Sequence, residues 1–175
     1  MEKKTRDDQV LSFTQAINIS NKWCNEWQEE LLSDEVLADR VSELLKTKHG
    51  LRGFFAYALS DPNCKLLDRL PNSLIFKFRE SGENIVELTV SNLVMSSAQV
   101  INHKKSNNKE YEKSSNNISE RCINLLRVLD TNIVTKTINK LLNNIDNLGN
   151  SMDNSSKYDE SQKEYIRTRI KSIAT

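Results

Sequence analysis

The sequence is poor in the two residues that most often interrupt regular structure, with 4 glycines and 2 prolines among 175 residues. Few chain breakers, combined with many leucine, isoleucine, lysine, glutamate and asparagine residues, favour long helices over a sheet of many strands. Hydrophobic residues make up 37%, which is low for a globular protein but above the range of disordered chains. The length is sufficient for one domain, so we expect a single helical domain.

A strong charge of one sign is also missing, because 25 lysine and arginine residues nearly balance 24 aspartate and glutamate residues. Long-range attraction to nucleic acid or to an anionic membrane is therefore weak, and nucleic acid is not an expected partner. No stretch approaches the roughly 18 consecutive apolar residues of a membrane span. The first ten residues, MEKKTRDDQV, lack the apolar core of a secretory signal. We expect a cytoplasmic protein.

Groups that bind metals or perform catalysis are few and scattered. The histidines are His49 and His103, the cysteines are Cys24, Cys64 and Cys122, and none of them forms a pair with metal-ligand spacing. Glycine-rich phosphate loops and nucleophile motifs are absent from the sequence as well. We therefore predict no catalytic residue, no metal ligand and no cofactor, and we expect reduced cysteines with at least two in the core.

Apolar residues recur at helical spacing along most of the chain. This pattern predicts an all-α fold, a single-domain irregular helical bundle of about seven to nine helices, some of them short. The first helix is expected within residues 10–32, and Ser33 has the properties of an N-cap for the second. The second helix is predicted to end near Lys48, with Gly50 just beyond it. The polar stretch at residues 106–117 is predicted to be a joint.

Residues 74–90 leave an alternative open. The segment LIFKFRESGENIVELTV also contains two β-rich runs around SGEN, so an α+β fold with one β-hairpin is the alternative. The apolar pattern continues through NLVMSSAQVI, which is too long for an ordinary strand and favours a helix from Glu83 to about Lys105.

Four segments are predicted along the chain. Residues 1–9 are charged and predict a disordered tail, and residues 10–148 predict the helical core domain. Residues 149–157, GNSMDNSSK, have the composition of a linker. Residues 158–175 predict a C-terminal helix that docks on the core.

The run HGLRGFFAYALSD at residues 49–61 concentrates aromatic residues in a chain that has few. Arg52 lies within its apolar part, so it needs a partner if it is buried, and Asp61 and Asp68 are the candidates. Together with Tyr57, these residues are candidates for a small anionic ligand-binding or enzymatic site in the helical core. The alternative is a buried helix whose rings anchor its neighbours, with Arg52 paired structurally or extended to the surface.

The chain has two tryptophans, Trp23 and Trp27, one helical turn apart and on one face. Tryptophan is enriched in cores and in protein interfaces, which makes this pair a candidate interaction surface. Because no catalytic set is present, the sequence favours a non-enzymatic protein that acts through protein–protein interaction or self-association. The site around Arg52 is the alternative function.

Four segments of the sequence resemble those of a known protein family. WCNEWQEELLSDEVLADRVSELL, GLRGFFAYALSD, LLDRLP and ENIVELTVSNLVMSS resemble a family of uncharacterised proteins from cyanobacteria, with the marine picocyanobacteria as the candidate source. The resemblance covers about residues 23–130. It implies a cytoplasmic location in a photosynthetic bacterium, and it implies no catalytic residue because the family has no assigned activity.

Overall fold

The computed structural model describes residues 11–145 and 158–174. Within these residues the chain forms eight α-helices, a short 3-10 helix and no strand, which confirms the all-α prediction. The β-hairpin alternative at residues 74–90 is wrong, because two helices occupy this segment. The elements are α1 (Phe13–Gln28), α2 (Asp34–Leu45), α3 (Lys48–Ser60), α4 (Asn72–Glu80), α5 (Glu83–Lys105), α6 (Lys109–Val128), α7 (Thr131–Asn143), α8 (Glu160–Lys171) and the 3-10 helix Ser172–Ala174. The tail predicted at 1–9 and the linker predicted at 149–157 lie outside the described residues.

Side-chain caps explain where several helices begin. The Ser12 hydroxyl accepts the Gln15 N–H while the Gln15 side chain accepts the Ser12 N–H, which together form a capping box for α1. Ser33 caps α2 as predicted, accepting the Val36 N–H at 3.3 Å. Asp130 accepts two backbone N–H groups at the start of α7. Each cap satisfies donors that the first helical turn leaves unpaired.

The boundary between α2 and α3 differs from the prediction. Helix α2 ends at Leu45, and the Thr47 hydroxyl caps α3 by accepting the Gly50 N–H at 3.0 Å. Gly50 thus lies in the first turn of α3 and does not end α2. A Cβ at Gly50 would lie 1.9 Å from the Leu44 carbonyl oxygen, so glycine is needed there for close backbone approach.

The joint predicted at residues 106–117 is also shorter than expected, because α6 begins at Lys109. The Asn108 side chain caps this helix by accepting the Tyr111 N–H. None of residues 109–114 is buried. The first turns of α6 therefore lack the apolar periodicity that predicts a helix from sequence.

Helices α5 and α6 form the centre of the bundle as a hairpin, and α7 and α8 pack against α5. On the other side, α1 packs on α3 and α2 packs on α4. The rings of Phe54, Phe55 and Phe78 form one buried cluster, with centroids 5.2 to 6.0 Å apart. Most of the aromatic run at residues 49–61 is thus a buried helix that anchors its neighbours.

The C-terminal helix α8 packs on α5 through Ile166 and Ile170, which are both buried. The Gln162 side chain donates from Nε2 to the Ala98 carbonyl at 3.2 Å and to Asn102 Oδ1 at 2.9 Å. Among the helices of the described residues, none is long and apolar enough to cross a membrane.

Candidate functional site

The structure places Arg52 at the surface of α3. Its guanidinium lies over the Phe13 ring, with Cζ 6.0 Å from the ring centroid, and neither Asp61 nor Asp68 pairs with it. Because Arg52 is exposed, it does not need the carboxylate partner that a buried arginine would require, and it extends to the surface. Arg52 instead lines a groove of about 380 Å³, together with the exposed Phe13 and Met95.

Of the other three predicted ligand-binding residues, Asp61 and Asp68 contact a different arginine, Arg121, and Tyr57 contacts α1. The Tyr57 hydroxyl and Asn21 Oδ1 are 3.2 Å apart in a hydrogen bond that joins α3 to α1. The Asp61 carboxylate accepts the Asn63 N–H at 2.7 Å and so shapes the loop that follows α3. Asp68 lies further along this loop and pairs with Arg121 of α6.

Arg121 is 6% exposed and joins α6 to the end of α3 and to the loop between α3 and α4. Its Nε and Nη2 donate to the two carboxylate oxygens of Asp68, each at 2.9 Å. The same guanidinium also donates to four backbone carbonyl groups, those of Ala58, Leu59, Asp61 and Cys64. These contacts use all the N–H donors of the guanidinium, so Arg121 has none left for a ligand and holds the fold together.

The Arg121 pair also sets the ionisation of Asp68. The hydrogen bonds from Arg121 lower the pKa of the Asp68 carboxyl below its usual value, against the opposing effect of partial burial. Charge-assisted, two-point hydrogen bonds of this kind are stronger than neutral ones. Asp68 is therefore ionised as a structural partner of Arg121.

One buried cysteine lies next to this arginine, because the Cys64 carbonyl accepts Arg121 Nη2 at 2.6 Å. Cys24 of α1 and Cys64 of the α3–α4 loop are both free and buried. The third cysteine, Cys122, is buried as well, so the expectation of at least two core cysteines is confirmed.

The two tryptophans of α1 are both half-buried, and each has an arginine stacked on it. Arg40 Cζ lies 5.8 Å from the centroid of Trp23, and Arg69 Cζ lies 5.9 Å from that of Trp27. The Trp27 indole also donates from Nε1 to Asp34 Oδ1 at 2.8 Å. Cation–π contacts and this hydrogen bond hold both rings in fixed orientations at the surface.

Two exposed aliphatic residues accompany the tryptophans. Leu31 is 69% exposed and lies in the turn after α1. The residues on either side of Leu31 line a concavity of about 430 Å³ together with Trp27. Val36 is 43% exposed and lies in the first turn of α2, two residues after Asp34. We call Trp23, Trp27, Leu31, Val36, Arg40 and Arg69 the tryptophan surface.

Other candidate sites do not form in the part of the chain that the structure describes. No group of three or more His, Cys, Asp or Glu residues in residues 11–145 and 158–174 is placed to hold a metal ion. Two arginines of α8, Arg167 and Arg169, contact acids of the protein itself. Arg169 Nη2 lies 2.7 Å from Glu120 Oε1, and Arg167 Nη1 lies 3.5 Å from Glu164 Oε2.

Sequence reasoning missed Arg121, although a signal for it was present. Ile118, Cys122 and Leu125 mark the apolar face of α6, and Arg121 lies on that same face. A charged residue within an apolar stripe needs a buried partner or a path to the surface. From the sequence, this argument was applied to Arg52, but the side chain of Arg52 extends to the surface and needs no buried partner.

No curated protein and no solved structure was found to match the chain. A family model described as "Uncharacterised conserved protein UCP020893" matches residues 12–173, which include all eight α-helices. The chain belongs to this family of uncharacterised conserved proteins.

Proposed function

We propose that this protein acts without catalysis, by protein–protein contact through the tryptophan surface, and that the surface binds a second copy of the chain. One observation carries the proposal: both tryptophans of the chain lie half-exposed on one face, each beneath an arginine. Tryptophan and arginine are the residues that most often supply the binding energy of an interface.

Exposed apolar area supports the same surface. Leu31 and Val36 are among the most exposed large aliphatic side chains of the described residues. Burying apolar area contributes roughly 25 cal/mol per Å², so covering both side chains would favour association. The tryptophan rings are already held in place, and little side-chain entropy is lost when a partner covers them.

The charges of the surface favour a second copy as the partner. The tryptophan surface itself carries two cations, but acids adjoin it: Arg40 lies 3.4 Å from Glu26, and Arg69 and Asp34 both contact Trp27. A two-fold interface places one surface against itself, and cations of one copy then face acids of the other. A surface with charges of one sign only would repel the same surface of a second copy. The acids beside the tryptophan surface reduce this repulsion.

The test is the mass of the protein in solution at increasing concentration. We expect the wild-type chain of 20.1 kDa to form a dimer in analytical ultracentrifugation or in light scattering after size exclusion. Leu31→Asp and Val36→Asp should each weaken dimerisation at least about 10-fold, because a buried unpaired carboxylate is costly. Tryptophan emission should shift on dimerisation, since both tryptophans belong to the surface.

Tyr111→Asp is the matched control, because Tyr111 is 59% exposed on α6, outside the tryptophan surface. It should leave the dimer unchanged. A wild-type protein that remains monomeric up to about 100 μM would contradict the proposal, since any remaining association free energy would be weaker than about 5.5 kcal/mol. A dimer that Leu31→Asp and Val36→Asp leave intact would contradict it equally.

A second candidate function is the binding of a small amphiphilic anion in the groove beside Arg52. The observation that favours it is the position of the Arg52 guanidinium at the wall of a groove that also exposes Phe13 and Met95. An arginine can bind a carboxylate by two parallel hydrogen bonds, and the apolar side chains can contact an aliphatic tail. Tyr57, Asp61 and Asp68 have no part in this version of the site.

Titration with octanoate tests the second candidate. Arg52→Gln should weaken octanoate binding at least about 10-fold, because the charge-assisted hydrogen bonds are lost. Lys104→Gln, which removes an exposed cation of α5 outside the groove, should leave the affinity unchanged. Absence of octanoate binding by calorimetry, or equal affinity of both variants, would exclude this function.

We propose the cytoplasm of a photosynthetic bacterium as the setting. The resemblance of residues 23–130 to cyanobacterial proteins supports the source. Three free cysteines support a reducing compartment, where thiols persist. Immunodetection in fractionated cells of the source organism would test the compartment.

A further inference from the structure

A groove of about 460 Å³ lies between α6, α7 and α8, and we call it the α7 groove. Its lining is mainly aliphatic and includes Leu126, Val134, Ile138, Leu142, Ile170 and Ile173. Leu126, Val134 and Ile170 are buried, whereas Leu142 is 37% exposed, so the groove has a closed apolar floor and an open rim. Clefts that bind small molecules have this size and this mainly apolar lining.

The length of the groove follows from the sequence of α7. Val134, Ile138 and Leu142 recur at intervals of four residues and form one line along the helix. From Thr131 to Leu142 the lining spans roughly 16 Å, at the helical rise of about 1.5 Å per residue. In α7, whose 13 residues all belong to the described part of the chain, Val134 alone is buried. The apolar line is therefore open to an elongated ligand.

Two cations lie at one end of the α7 groove. Arg127 is in the last turn of α6, four residues before Thr131, at which α7 begins. Its Nη2 donates to the Ser172 carbonyl at 2.5 Å, and Lys171 precedes Ser172 and also lines the groove. Arg127 and Lys171 are thus close to each other where α7 begins, and Leu142 lies at the opposite end of α7. The groove has the charge distribution of an amphiphile binding site.

The cations at this end are available to a ligand. Among the described residues, neither Arg127 nor Lys171 forms an ion pair, and both are exposed. Arg127 donates to Asn124 and Ser172 only, which leaves further N–H donors of the guanidinium free. The acid nearest in the chain, Asp130, does not line the groove, and its Oδ1 accepts two backbone N–H groups at the start of α7.

We propose that the α7 groove binds a long-chain aliphatic carboxylate as a free molecule. The carboxylate accepts charge-assisted hydrogen bonds from Arg127 and Lys171, and the chain lies along Ile138 towards Leu142. No acid lines the groove, so an anionic head group meets cations alone. A head group with a positive charge would meet the same cations and be repelled.

This inference is independent of both proposed functions. The α7 groove shares no lining residue with the groove beside Arg52 or with the tryptophan surface. Variants of Arg52 and Leu31 therefore test the other sites without touching this one, and each site can fail alone.

The first experiment titrates the folded, full-length protein with dodecanoate in calorimetry, below the concentration at which dodecanoate forms micelles. Dodecanoate should bind at least about 10-fold more tightly than octanoate, because each further buried methylene group contributes up to about 4-fold. Dodecyltrimethylammonium, with the same chain and a cationic head, should bind at least about 10-fold more weakly than dodecanoate. Methyl NMR of the wild-type protein should show shifts at Val134, Ile138 and Leu142, which locates the ligand even if a variant fails to fold.

Variants at both ends of the groove complete the test, each checked for folding by circular dichroism. Leu142→Asp should weaken dodecanoate binding at least about 10-fold, because the chain would meet a carboxylate. The double variant Arg127→Gln and Lys171→Gln should weaken it about 5-fold or more, since exposed charge pairs are individually modest. Lys140→Gln is the matched control, because Lys140 is exposed on α7 outside the groove, and it should leave the affinity unchanged.

Met95→Asp, which alters the groove beside Arg52, should also leave dodecanoate binding unchanged. The proposal is overturned if dodecanoate does not bind, if the cationic amphiphile binds equally well, or if Met95→Asp weakens binding as much as Leu142→Asp does. Two further results would overturn it. One is binding to phosphatidylglycerol vesicles without binding of dissolved dodecanoate, and the other is a change in the mass of the protein in solution as the sole effect of Leu142→Asp.

Discussion

Arg121 and Asp68 form a two-point ion pair between α6 and the α3–α4 loop, with Nε bonded to Oδ1 and Nη2 bonded to Oδ2 at 2.9 Å. The same guanidinium binds the Ala58 and Leu59 carbonyl groups in the last turn of α3. The final carbonyl groups of a helix have no partner within the helix, and Arg121 supplies one from another part of the chain. A lysine has no planar fork and cannot make the same set of contacts.

Replacing Arg121 should destabilise the protein strongly. Arg121→Met leaves several backbone carbonyl groups without their donor, and each buried acceptor left unpaired costs about 1–3 kcal/mol. The Asp68 carboxylate contributes less, because it is 39% exposed. Urea unfolding followed by circular dichroism measures this loss. Lys136→Met is the control, because Lys136 pairs with Glu83 at the surface and such pairs contribute less than about 1 kcal/mol. Equal stability of the two variants would contradict the role of Arg121.

The Asp68 carboxyl should make stability depend on acid pH. Its folded-state pKa is lowered by Arg121, so its stabilising effect is complete above the unfolded-state value of about 3.9 and is lost as pH falls towards the folded-state value. The difference in unfolding free energy between wild type and Asp68→Asn should therefore be constant from about pH 5 to pH 7 and shrink below about pH 4. Urea unfolding at a series of pH values measures this difference.

The Arg121→Met background is the control for the pH experiment. Without the guanidinium, Asp68→Asn should no longer change the acid part of the stability profile, because the cause of the shifted pKa has been removed. An unchanged difference down to pH 3 in the wild-type background, or one that grows on acidification, would contradict the prediction.

Gly53 should not tolerate a side chain. A Cβ at this position would lie 2.5 Å from Ala16 Cβ and 2.9 Å from the Phe13 carbonyl oxygen, where α1 and α3 pack closely. Gly53→Ala should cost about 1–3 kcal/mol of stability despite the higher helix propensity of alanine. Adding Ala16→Gly should recover part of the loss, and urea unfolding of the double variant tests this coupling.

Asn18→Ala is the control for Gly53, since Asn18 is exposed on α1 and alanine favours the helix there. It should leave stability equal or slightly higher. A Gly53→Ala protein as stable as the wild type would show that α1 and α3 can separate at no cost.

Local signals in the sequence predicted much of the helical architecture. Ser33 was identified as a cap because the helix start requires a side-chain acceptor, and the helix from Glu83 to Lys105 follows from sustained apolar spacing. The start of α6 could not be predicted in this way, since its first turns are polar and unburied. Likewise, the end of α2 near Lys48 and the place of Gly50 beyond it were mispredicted, because glycine commonly ends helices. Here Gly50 lies within α3, where it allows the Leu44 carbonyl to approach closely.

The candidate sites were less predictable, because they depend on contacts between distant segments. The tryptophans share a face by their spacing, but Arg40 and Arg69 reach them from other parts of the chain. Arg52 and Arg121 have similar apolar surroundings in sequence, and only the fold shows which one is buried.

The capping of α3 by Arg121 has a consequence for synthesis of the chain. The Asp61 carbonyl receives its donor from a residue 60 positions later, and the Ala58 and Leu59 carbonyl groups depend on the same guanidinium. A nascent chain that has not yet emerged as far as α6 therefore contains the α3 end and the Cys64 loop without their anchor. The end of α3 and the loop after it can therefore gain these hydrogen bonds only after α6 has been synthesised.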